Sequence, residues 1–185
     1  MVRRKKATTK KKPRAKSKPR AKKKVAARSK GGACGGTTPA LSPLLRSAFE
    51  VLEHGLWHFL RSTTTTDMKF ALMHVDQAIE LLLKERVRSG GKSIYKNPKE
   101  TITIWGAYSI LEGELGVTIA EKPDLEILHE ERNNIQHRYA NPSPEDATFH
   151  IDRALTFINR FVKDELGIEL ADYISSEYLG QILGP

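Results

Sequence analysis

Apolar residues recur at steps of three and four from Leu45 to Val162, and that spacing admits helices packed on helices and little else. The first stripe is Leu45, Ala48, Phe49, Leu52, Leu56, Phe59 and Leu60, after the start signal Ser42-Pro43. The threonine run that follows Arg61 breaks it, and Asp67 is expected to cap a second helix near 68–88, with the stripe Ala71, Leu72, Val75, Ala78, Ile79 and Leu82. Ser89-Gly90-Gly91 ends that helix. Asn97-Pro98 predicts an N-cap and first-turn proline for a third helix over 98–112, while the β-branched Ile102, Thr103 and Ile104 leave a strand open there. Pro123-Asp124 opens a fourth helix that runs to about Tyr139. Ser143-Pro144-Glu145-Asp146 starts a fifth, with Ala147, Ile151, Ala154, Leu155, Ile158, Phe161 and Val162 on one face and Gly167 at its close. An all-α bundle of about five helices follows.

Charge divides the chain differently. Residues 1–30 hold 16 Lys/Arg and no Asp/Glu, so the rest carries 15 basic against 22 acidic residues, a net of −7. A polycation this dense cannot bury apolar surface and is expected to be a disordered tail. Residues 31–43 are a Gly/Thr/Ser/Pro linker, 44–167 the helical domain and 168–185 a C-terminal extension. Arg3, Arg4, Lys5, Lys6, Lys10, Lys11, Lys12, Arg14, Lys16, Lys18, Arg20, Lys22, Lys23 and Lys24 are the candidate phosphate contacts, for RNA or for DNA without sequence preference. The tail has no aromatics, so base stacking is not its mode.

Cys34 is the single cysteine, which excludes an intramolecular disulfide and argues against a cysteine-based zinc site. No metal or other cofactor is expected. His54 and His58 are spaced i,i+4, but the sequence offers no evident third ligand. No stretch of 18 apolar residues exists, and no apolar segment follows the basic start as in a secretory signal. A cytoplasmic protein with no membrane partner is expected, held at the nucleoid if the tail engages DNA.

One helix is anomalous. The fourth carries Leu125, Leu128, Arg132, Ile135 and Tyr139 on one face, so an arginine stands where a leucine is expected. A buried guanidinium needs a carboxylate or phosphate, or a head that emerges into a cleft. His137 lies five residues on, ~140° round the helix, with Asn133 on its own face. An arginine and a histidine suffice to cleave RNA without metal. The histidine takes the 2′-hydroxyl proton near neutrality, and the arginine stabilises the phosphorane charge.

Arg132-Asn133-Asn134-Ile135-Gln136-His137 resembles the R-x(4–6)-H motif of HEPN-domain ribonucleases, and its extension through Arg138 to Tyr139 resembles the toxin of HEPN–nucleotidyltransferase toxin–antitoxin pairs. The run His74 to Lys84, with Gln77, Ala78, Glu80 and Lys84, is similar to the second helix of that family. The resemblance covers roughly residues 45–165. It implies an up-and-down bundle and a metal-independent endoribonuclease that works as a homodimer, with catalytic Arg132 and His137 and a supporting Asn133. It also implies a nucleotidyltransferase antitoxin as partner, with Tyr139 at the position where adenylate is attached. Tyr139 reads equally well as a core residue ending the stripe. Glu80 could orient the arginine, although an i,i+4 pair with Lys84 is the simpler reading. A non-catalytic nucleic-acid-binding or scaffold protein tethered by the tail is the alternative function.

Overall fold

The computed structural model describes residues 41–61 and 64–182; the basic tail, with all its candidate phosphate contacts, and Cys34 lie outside them. Among the described residues six helices and one small hairpin make an all-α bundle. Helix α1, Pro43–Leu60, is capped by Ser42, whose hydroxyl accepts from the Leu45 amide at 3.1 Å. Helix α2, Thr65–Ser89, begins three residues before the expected start. Thr64 is its N-cap, not Asp67: the Thr64 hydroxyl accepts from the Asp67 amide at 3.2 Å and donates to the Asp67 carboxylate at 2.7 Å.

At 25 residues, α2 is the longest element among the described residues, and it packs against α1, α3 (Ile104–Glu114), α4 (Lys122–Arg138) and α5 (Pro144–Leu166). That central place explains why its buried set extends beyond one stripe to include Leu83 and Val87, and the charged Asp76, Lys84 and Glu85. Glu85 accepts from Arg88 through both carboxylate oxygens, and Lys84 donates to Glu80 and Thr101. Each buried charge therefore has a partner, as burial demands.

The third helix starts later than Asn97-Pro98 predicts. Strands β1, Tyr95–Asn97, and β2, Glu100–Thr101, pair antiparallel across that turn, and α3 spans only Ile104–Glu114. Asn97 caps a turn rather than a helix, because its Oδ1 accepts from the Lys99 amide at 2.9 Å. Thr103 takes the N-cap role, accepting from the Gly106 amide at 3.3 Å.

Helix α4, Lys122–Arg138, and helix α5, Pro144–Leu166, complete the bundle. All seven positions expected on the core face of α5 are buried. Glu121 precedes α4 without capping it and instead accepts from Arg160 of α5 through both oxygens, at 2.7 and 2.6 Å. Gly167 ends α5 with φ +66°, a conformation that favours glycine. The C-terminal extension is part of the core: a 3₁₀ turn at Leu170–Asp172 and helix α6, Ser176–Ile182, bury Leu170, Ile174 and Leu179, and Tyr173 stacks on Phe49 at 5.5 Å. Among the described residues no helix is long and apolar enough to cross a membrane.

Candidate active site

Helix α4 buries Leu125, Leu128 and Ile135, and Arg132 does project from that same stripe. The partner that its burial requires is Asp76 of α2, which is 1 % exposed. Arg132 Nε lies 3.6 Å from Asp76 Oδ2, an ion pair beyond hydrogen-bond length. The same carboxylate accepts from His129 Nδ1, at 3.0 Å to one oxygen and 3.1 Å to the other. One buried anion thus holds two residues that sit one turn apart on α4. A carboxylate that accepts at Nδ1 fixes the proton there and leaves Nε2 of His129 unprotonated in the neutral ring. Asp76 also raises the His129 pKa, first through this hydrogen bond, against burial and the opposing charge of Arg132. Trp105 meets the His129 ring edge-on, with centroids 5.8 Å apart.

The Arg132 guanidinium is oriented on its other side by Asn133, whose Oδ1 accepts from Nη1 at 2.9 Å. Asn133 therefore supports the arginine directly. Glu80 does not orient it by contact; its carboxylate accepts from Lys84 at 2.6 Å, and it shares with Arg132 only the wall of a 430 Å³ groove that also includes Gln77 and His74. Asp76, one turn before Glu80, has the orienting part.

His137 is exposed and opens on a different groove, of about 840 Å³, which it shares with His129, Asn133, Asn134 and Trp105. Arg132 does not line that groove, so a single chain does not bring the two motif residues to one point. Tyr139 is not a core residue. It is 88 % exposed because the chain turns left-handed there, with φ 58°, and its side chain leaves the stripe. The amides of Tyr139 and Ala140 both reach back to the Asn134 carbonyl and close the helix.

Two residues of this constellation escape the sequence reading, Asp76 and His129. Asp76 has a sequence signal: it stands four residues after Leu72 and three before Ile79, a carboxylate in the apolar stripe of α2 just as Arg132 is a cation in that of α4. A third residue of ligand type, not evident from the spacing of His54 and His58, is His74 of α2, which lies against both. Comparison with known proteins finds no family, curated protein or solved structure that matches this chain.

Proposed function

We propose that this chain is a metal-independent endoribonuclease of the HEPN type, active as a homodimer, and a toxin or a defence or stress effector. The observation that carries the reading is an arginine built into an apolar stripe, held by a buried carboxylate, with a histidine and an asparagine on the neighbouring face of the same helix. A second copy packed on α4 would set its own His137 toward this chain's Arg132. The half-exposed Trp105 and Ile127, at 50 % and 53 %, border the His137 groove and suit such a contact.

In this reading His137 takes the proton of the 2′-hydroxyl as its oxygen attacks the adjacent phosphorus. Arg132 stabilises the charge that builds on the non-bridging oxygens. The bond to the 5′-oxygen breaks, that oxygen gains a proton, and the products are a 2′,3′-cyclic phosphate and a 5′-hydroxyl end. The basic tail supplies affinity that residues 31–185, of net charge −7, lack, which makes binding weaken steeply with salt, by ~10³–10⁵-fold from 50 to 200 mM if ~6–10 phosphates engage. Exposed Tyr139 would be open to adenylation by a nucleotidyltransferase antitoxin.

The decisive assay is RNA cleavage in EDTA by the purified chain, Arg132→Ala and His137→Ala. Loss of one acid–base or charge-stabilising group should lower the rate ~10²–10⁴-fold, and equal activity in all three proteins rejects the proposal. The separation of Arg132 and His137 into two grooves of one chain favours a second reading, a non-catalytic nucleic-acid-binding or scaffold protein. Removal of residues 1–40 distinguishes them: an enzyme keeps cleaving short RNA, whereas a tethered binding protein loses its nucleic acid.

A further inference from the structure

On the opposite side of α2 from Asp76 the structure assembles three imidazoles. His54 and His58 stand one turn apart on α1, and His74 faces them from α2. One ring nitrogen from each lies within 4.8 Å of the other two. We propose that His54, His58 and His74 form a binding site for one zinc-type divalent transition-metal ion, with water as the fourth ligand. The proposal is independent of the ribonuclease chemistry, which uses no metal.

Several features of the helix pair fit a ligand set better than a packing accident. Zn–N bonds of ~2.0–2.1 Å place tetrahedral ligand nitrogens ~3.3 Å apart. Closing the triangle therefore needs only side-chain rotation of three rings whose centroids are already 4.6, 4.8 and 5.8 Å apart. His58 Nδ1 lies 3.3 Å from the Asp67 carboxylate, which leaves Nε2 for an ion and reproduces the carboxylate–histidine–metal relay that fixes ligand tautomers. His74 Nδ1 is buried with no hydrogen-bond partner, and a buried polar atom in that condition calls for a reason.

Gly55 lies between the two α1 ligands. A Cβ there would come within 3.0 Å of His74 Cβ and 3.3 Å of the Ala71 carbonyl, so the absent side chain is what lets α2 bring His74 this close. Trp57 and Phe70 pack on His58, at 4.9 and 5.2 Å, and shield the ligands on one side, while His54 remains exposed and leaves an approach for ion and water.

The donor set selects the ion. Three neutral nitrogens suit zinc, cobalt or nickel and are poor ligands for magnesium or calcium, which demand oxygen. Without a carboxylate in the first coordination sphere the ion would keep its full double charge, the condition under which zinc-bound water ionises near pH 7.

The test uses the full-length, untagged chain carrying Cys34→Ser, so that no thiol competes. Cobalt(II) is titrated and its visible d–d absorption followed, and zinc is then added. The proposal expects one cobalt per chain with a tetrahedral spectrum, its displacement by zinc, and a zinc-dependent rise in Tm. His54→Gln, at an exposed position that folding tolerates, should abolish the tetrahedral spectrum. Asp67→Asn should weaken binding by about 10–100-fold. An octahedral spectrum only, more than one equivalent site of the same weak affinity, or unchanged binding in His54→Gln would each overturn it.

Discussion

The Asp76 carboxylate is the most consequential single group in the bundle, and Asp76→Asn tests it without changing its shape. The amide keeps an acceptor for His129 but removes the one carboxylate that, among the described residues, pairs with the Arg132 guanidinium, which cannot discharge by losing a proton. Breaking a fully buried ion pair costs about 3–5 kcal/mol. The Arg132 side chain retains 27 % exposure, so water takes over part of that interaction. The hydrogen bond from His129 falls from the range for charged acceptors, about 1.5–3 kcal/mol, toward about 1. We expect a net loss of about 2 kcal/mol, read as a lower urea midpoint at unchanged m and a Tm lower by roughly 4–8 °C.

The pH dependence gives the sharper signature. The folded pKa of His129 is raised, chiefly by the Asp76 hydrogen bond, so the stability it confers is complete below its unfolded value near 6.5 and fades as pH rises through the folded value. The variant lacks that contribution. The stability difference between the two proteins should therefore be larger at pH 6 than at pH 9, with the Arg132 part remaining at both. Subtraction cancels the other histidines, including His74, whose pKa is lowered by burial and by His54 and His58. A difference that does not change between pH 6 and 9, or one below about 0.5 kcal/mol, refutes the assignment of Asp76 as the shared anchor.

Two further expectations concern the ends of α4. Tyr139→Gly should stabilise the fold by about 0.5–1 kcal/mol in urea denaturation, because a left-handed backbone at φ 58° costs tyrosine more than glycine and the exposed ring forfeits little packing; a loss of stability would show that the ring is held. Arg160→Lys should lower Tm at pH 7 by removing the two-pronged grip on Glu121. That deficit should shrink as pH falls below about 4.5, because Arg160 lowers the folded pKa of Glu121 and the benefit exists only while the carboxylate is charged; a deficit equal at pH 7 and pH 3 contradicts this.

The helices were legible because each writes its buried face into its own sequence. The α5 stripe needs no knowledge of what covers it, and Ser42 and Ser143 announce their helices through local amide geometry. Asn97-Pro98 misleads because asparagine closes a turn by the same bond with which it caps a helix, and only the pairing of Tyr95 with Thr101 decides between them. Arg132 could be recognised as out of place, but its partner could not be chosen, since Asp76 and Glu80 are one turn apart on α2 and the crossing of α2 with α4 selects between them. The same holds for His74, which meets His54 and His58 only through the close approach that Gly55 permits. Contacts between distant segments depend on helix crossing, which periodicity does not encode.

The anchoring of Arg132 also rations its donors. A guanidinium has five N–H groups in a planar fork. Its Nε edge faces Asp76, and one hydrogen of Nη1 goes to the Asn133 side chain. Among the described residues one hydrogen of Nη1 and both of Nη2 remain, and the guanidinium borders a groove walled by Gln77, Glu80 and Lys84 of α2. An anion that enters this groove can therefore meet the free donors of the terminal nitrogens without displacing Asp76, which faces Nε.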